Sequence, residues 1–116
     1  QTEVTSLEFK ISEIIREKII LFTSQEIPHF TAVKIDEFKN LDNKAMITAS
    51  IIVNKESHKG IIIGKQGSML KKINMSSSKD IKELLGKKVY LNLFVKVEED
   101  WLNKSKKLFD LGYFNE

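Results

Sequence analysis

Apolar residues recur along the chain with two periods, and the changes of period mark its elements. Leu7, Ile11, Ile14, Ile15, Ile19 and Phe22 follow the three-and-four spacing of one helical face. Thr5-Ser6-Leu7-Glu8 has the form of a capping box, which predicts a helix from about Ser6 to Ser24. Ile27-Pro28-His29 ends that period, because proline lacks a backbone donor and turns its predecessor away from helical conformation. A strand is predicted from about Thr31 to Phe38. Leu41-Asp42-Asn43-Lys44 supplies turn residues, and Ile47, Ala49, Ile51 and Val53 then alternate with Met46, Thr48 and Ser50, so the two segments read as antiparallel strands.

The run Ser57-His58-Lys59-Gly60-Ile61-Ile62-Ile63 allows one or two helical turns before Gly64 stops it. After Gly67, helical spacing returns at Leu70, Ile73, Ile81, Leu84 and Leu85, with Ser77 on the same stripe, until Gly86. Val89, Leu91, Leu93, Val95 and Val97 give the clearest alternation, and Asp100 is placed to cap a short helix from Trp101. The predicted order is α-β-β-α-α-β-α. Three strands with one apolar face are covered most economically by helices on that face, and a strand that follows a helix pair can lie parallel to a neighbour. The expected fold is therefore α+β, a three-stranded mixed sheet packed against helices on one face.

Length and composition narrow the function. A chain of 116 residues with 41% hydrophobic residues suits one domain over 1–116 with one core; only the tail after Gly112 looks loose. Without a long apolar stretch or a signal segment, and starting at Gln1, the chain is expected to be a soluble fragment of a longer protein. The absence of cysteine excludes disulfides, thiolate metal sites and a cysteine nucleophile, and is compatible with a reducing cytoplasm. The net charge is only +3, yet five lysines and one glutamate lie between Lys55 and Lys72, a local +4 that leaves −1 for the remainder.

That basic window contains Ile62-Ile63-Gly64-Lys65-Gln66-Gly67-Ser68-Met69-Leu70-Lys71-Lys72-Ile73, a G-x-x-G loop between two helical stretches. Glycines allow backbone to approach backbone, and N–H groups at the start of the following helix attract phosphate. Such a loop can clamp about four nucleotides while bases face an apolar groove. Lys59, Ile62, Ile63, Gly64, Lys65, Gln66, Gly67, Ser68, Lys71 and Lys72 are the candidate RNA-binding residues. By itself the loop is equally well a ligand-free helical hairpin, and Lys71 and Lys72 equally a solvated face; the neighbouring loop favours RNA contact. Ile62, Ile63 and Ile73 must partly serve the core, with one of them lining the groove.

Other chemistry is poorly supported. Gly60–Gln66 resembles a P-loop, but three residues rather than four separate its glycines, and Gln66 lacks the hydroxyl that would bind magnesium. His29 and His58 belong to no ligand-spaced cluster, so no metal site is expected. Asp36-Glu37 and Glu98-Glu99-Asp100 read as solvated strand ends or helix caps rather than paired catalytic acids. Trp101, Phe109 and Tyr113 read as packing residues of the last helix.

The loop and its flanks resemble the KH signature, and nearly the whole chain is similar to the C-terminal KH domain of the bacterial Era GTPase family. The resemblance is carried by Arg16-Glu17-Lys18, Glu26-Ile27-Pro28-His29, Glu56 through Gly67, Lys79-Asp80-Ile81, Leu84 through Leu91, Val95-Lys96-Val97, Asp100-Trp101 and Leu111-Gly112-Tyr113. It implies a type II KH fold, binding of single-stranded RNA at the 3′ tail of small-subunit ribosomal RNA, and a role in assembling that subunit. It further implies a monomeric, cytoplasmic protein with peripheral association of the parent at the inner face of the membrane. GTP and magnesium would belong to a GTPase domain preceding residue 1, with no cofactor and no catalysis in this chain. Asn74 and Ser77-Ser78 depart from a family pattern of glycine and Ala-Arg, which leaves out one arginine contact to phosphate or base; Phe94 stands where tryptophan is frequent. The competing classes are a KH-shaped protein-interaction domain without RNA binding, a KH domain of another ribosomal protein or transcription factor, and an enzyme.

Overall fold

The computed structural model describes residues 2–23 and 31–99, with side chains from Leu7 onward. Its elements are helix α1 (Thr2–Thr23), strands β1 (Ala32–Asn40) and β2 (Lys44–Val53), helix α2 (Glu56–Ile63), a single 3-10 turn (Lys65–Gly67), helix α3 (Ser68–Leu85) and strand β3 (Lys88–Val97). The predicted order is present as far as β3. The expected helix from Trp101, its Asp100 cap and the tail lie outside the described residues. Helix α1 starts at Thr2 rather than Ser6, so Thr5–Glu8 lies within the helix and does not open it.

The hydrophobic alternation works out as a sheet of order β1-β2-β3. β1 and β2 are antiparallel, with Val33 opposite Ile51 and Phe38 opposite Ile47, and a bulge lies between Ile35 and Glu37. The Leu41 N–H donates to the Lys44 carbonyl at 2.9 Å and closes the hairpin. β3 runs parallel to β2, from Lys44 beside Lys88 to Val53 beside Val97. A parallel neighbour needs a crossover, and α2 with α3 provides it.

One core joins the helices to the inner sheet face. Ile47, Ala49, Ile51 and Val53 of β2 and Leu91 and Leu93 of β3 meet Ile11, Ile15 and Ile19 of α1, Ile62 of α2, and Ile73 and Ile81 of α3. Ile73, Ser77 and Ile81 form the buried stripe of α3, as their spacing of four predicts. Leu84, predicted on that stripe, is instead 38% exposed and leaves Leu85 as the packed residue of the last turn. A Lys18–Asp80 ion pair at 2.6 Å fastens α1 to α3 beside the core. Among the described residues no helix is long and apolar enough to cross a membrane.

Candidate nucleic-acid interface

The loop between α2 and α3 is shaped by its backbone. Gly64 ends α2 with φ +75°, and its N–H donates to the Gly60 carbonyl at 2.8 Å. A Cβ at Gly64 would stand 2.6 Å from the Met69 Cβ and 2.8 Å from the Met69 nitrogen, so only glycine lets the chain fold back onto the first turn of α3. The Gly67 N–H closes the turn on the Gly64 carbonyl at 3.1 Å. Gln66 (φ 57°, ψ 29°) and Gly67 (φ 77°, ψ 11°) are both left-handed, an arrangement that L side chains resist and Gln66 adopts at some strain.

This conformation exposes Lys65 and Gln66 at the tip and half-exposes Gly67. No side chain caps α3 at Gly67, and a Cβ there would meet nothing within 4 Å. The Ser68 N–H donates to the Lys65 carbonyl, and the loop combines an open backbone surface, a first turn of α3 that no side chain caps and a cationic side chain, the components of a phosphate seat.

Beside the loop runs a groove of about 300 Å³ lined by Gly67, Leu70, Lys71, Asn74, Met75 and Leu93. Its floor is apolar, and Lys71 stands on its edge. Asn74 ties its two walls together: its Nδ2 donates to the Leu91 carbonyl of β3 at 2.8 Å, while its Oδ1 accepts from the Ser78 hydroxyl at 3.1 Å. Both atoms of the Asn74 amide therefore have partners within the wall, so the residue acts in setting the groove's width. A second open groove lies on the other side of α3, lined by Phe22, Ser68, Lys71, Lys72, Met75 and Ser76.

The predicted residues divide among these features. Gly64, Lys65, Gln66 and Gly67 form the loop, and Gly67 and Lys71 reach the α3–β3 groove. Ser68 and Lys72 line the α1 side, where the Lys72 Nζ sits 4.4 Å from the centre of the Phe22 ring. This cation–π contact draws Lys72 away from the other groove. Lys59 and Ile63 are half-buried on α2 and line neither groove.

Ile62 is 0% exposed and belongs to the core, as does Ile73. Neither isoleucine lines the groove; Leu70, Asn74, Met75 and Leu93 do so instead. Gly67, Leu70, Lys71, Asn74 and Met75 share the three-and-four spacing of one helical face, a signal in the sequence that could have identified the wall.

The family model for the KH domain matches residues 26–102. The GTPase Era of Trichlorobacter lovleyi is 49% identical over 107 residues, covering 91% of this chain and 36% of that protein. Two solved structures align over 92% of this chain and 36% of theirs, each at 41% identity: an Aquifex aeolicus Era variant bound to GDP and aluminium fluoride, with a TM-score of 0.80, and an Era in complex with MgGDPNP and nucleotides 1506–1542 of 16S ribosomal RNA, with a TM-score of 0.81. The chain spans little more than a third of the length of these relatives. Topology, loop and similarity agree: the chain belongs to the KH domain family, in the form carried by the Era GTPases.

Proposed function

We propose that this chain is a single-stranded RNA-binding module, one KH domain over its whole length, that grips the 3′ end region of small-subunit ribosomal RNA. The carrying observation is the Gly64–Gly67 loop, whose open left-handed backbone leads directly into the groove walled by α3 and β3. Phosphates settle against the loop and the start of α3, with Lys65 and Lys71 supplying charge, while bases turn toward Leu70, Met75 and Leu93. Ile62 and Ile73 serve from beneath, fixing α2 and α3 to the sheet. The RNA carried by an Era relative supports this choice of partner.

In this reading the chain catalyses nothing. GTP and magnesium act in a separate domain of the parent protein, which works in the cytoplasm, as a monomer, on the small ribosomal subunit, with peripheral contact to the membrane.

The test is binding of a fluorescent RNA of the 3′ tail to the wild type and to the Lys65→Asp/Gln66→Asp double variant at a stated salt concentration. Both changes are at exposed positions, so thermal stability should move by less than about 1 kcal/mol. Binding should fall at least ten-fold in the variant, with scrambled RNA bound more weakly by the wild type. Equal binding by both proteins, or none by either, would leave a KH-shaped scaffold whose partner is another protein.

A further inference from the structure

The outer face of the sheet carries a second set of features that the loop does not use. Along β3 the outward residues are Lys88, Tyr90, Asn92, Phe94 and Lys96, and all of them are exposed. Tyr90 is 50% and Phe94 54% exposed, although aromatic rings are the side chains with most to gain from burial. Four residues apart in one strand, they are separated by about 13 Å at the usual rise of about 3.3 Å per residue. That spacing suits two separate bases and excludes one base held between both rings.

The charge around these rings favours a polyanion. The β2 residues in register on the same face are Lys44, Met46 and Thr48, followed by Ser50 and Ile52, which are buried, so these positions of the two strands hold three lysines and no carboxylate. The nearest acid along β3 is Glu98, beyond its end. Asp36 and Glu37 belong to β1, yet the Asp36 carboxylate reaches over to accept from the hydroxyl of Ser50, the residue opposite Phe94, so its charge is taken up by a hydrogen bond beside that ring, while Glu37 pairs with Lys39 at 3.5 Å. The row is also continuous with the clamp. Among the described residues β3 is an edge strand, and its inward-facing Leu93 lines the groove, so a nucleic-acid strand leaving the groove across that edge arrives at Tyr90 and Phe94.

We propose that the outward row of β3 is a stacking platform for two bases of the single-stranded RNA whose adjoining segment occupies the Gly64–Gly67 clamp. The proposal rests on the clamp reading and extends it: Tyr90 and Phe94 supply sequence-tolerant stacking, and Lys88 and Lys96 hold the backbone on either side. The bound strand is consequently longer than the four or so nucleotides a KH loop grips.

The test compares two RNAs by fluorescence anisotropy on the 116-residue chain at one salt concentration: a tetranucleotide from the 3′ tail, and the same sequence extended by several nucleotides at either end. Wild type should bind an extended RNA about ten-fold or more better than the tetranucleotide, and Tyr90→Ala/Phe94→Ala should lose most of that ratio. Phe94→Tyr, which keeps a ring, should retain it. A double-alanine variant that keeps the full ratio, while Lys65→Asp/Gln66→Asp abolishes binding of both RNAs, overturns the platform and leaves the clamp standing. Wild type that binds neither RNA overturns both.

Discussion

Gly64 and Gly67 bound the same loop with nearly the same φ, yet glycine is needed at each for a different reason. At Gly64 a Cβ would overlap the backbone of Met69, which α3 holds in place. At Gly67 a Cβ would meet no protein atom, and only the left-handed conformation disfavours a side chain. The first glycine is thus a packing requirement of the fold, and the second leaves the surface of the loop open, where the proposed function seats a phosphate.

Gly64→Ala should break this pair most severely, because its φ 75°, ψ 177° backbone is open essentially only to glycine, and that strain and overpacking against fixed backbone add to about 2–6 kcal/mol of lost stability. Denaturant unfolding would measure it, and a loss under about 1 kcal/mol would show that Met69 gives way. Gly67→Ala should lose only about 1–2 kcal/mol, the left-handed term alone, while RNA affinity falls further than stability accounts for. Paired unfolding and binding titrations on that variant separate the two roles. Gln66→Asn should have the smallest effect and the opposite sign: asparagine tolerates the left-handed region better, so stability should rise by a fraction of the about 1–2 kcal/mol penalty. A fall in its melting temperature would mean that the glutamine side chain contributes something its backbone strain does not reveal.

The two adjacent lysines near the start of α3 differ in the same way. Lys71 and Lys72 are adjacent in the sequence and were expected to act alike. In the fold Lys71 borders both grooves, whereas Lys72 lies over Phe22 on α1. Neighbours on a helix point about 100° apart, so only the elements packed on each side decide what they meet. The isoleucines of the motif show the converse. Ile62 and Ile73 look equally suited to a core or a base-binding groove, and burial to 0% exposure assigns both to the core.

Much of the architecture could be read from the chain. Periods of two and of three to four residues located α1, the hairpin, the α2–loop–α3 unit and β3, because a buried face imposes its repeat on whichever element carries it. Gly64, Gly67 and Gly86, each at a positive φ, stand where stops or turns were expected, since glycine punctuates a chain by what its backbone allows. The bulge between Ile35 and Glu37 and the start of α1 at Thr2 were not legible, because strand registry and helix ends depend on partners as well as on local residues. The sequence alone therefore determined which elements form, where the loop lies and that the charge gathers beside it, all consequences of local conformation and composition. The period of two in β3 also set Tyr90 and Phe94 on the face opposite Leu91 and Leu93. Only the tertiary structure decided that Leu93 from a distant strand joins Leu70 and Met75 in lining the groove, and that Tyr90 and Phe94 stay half-exposed, because both depend on packing between segments far apart in the chain.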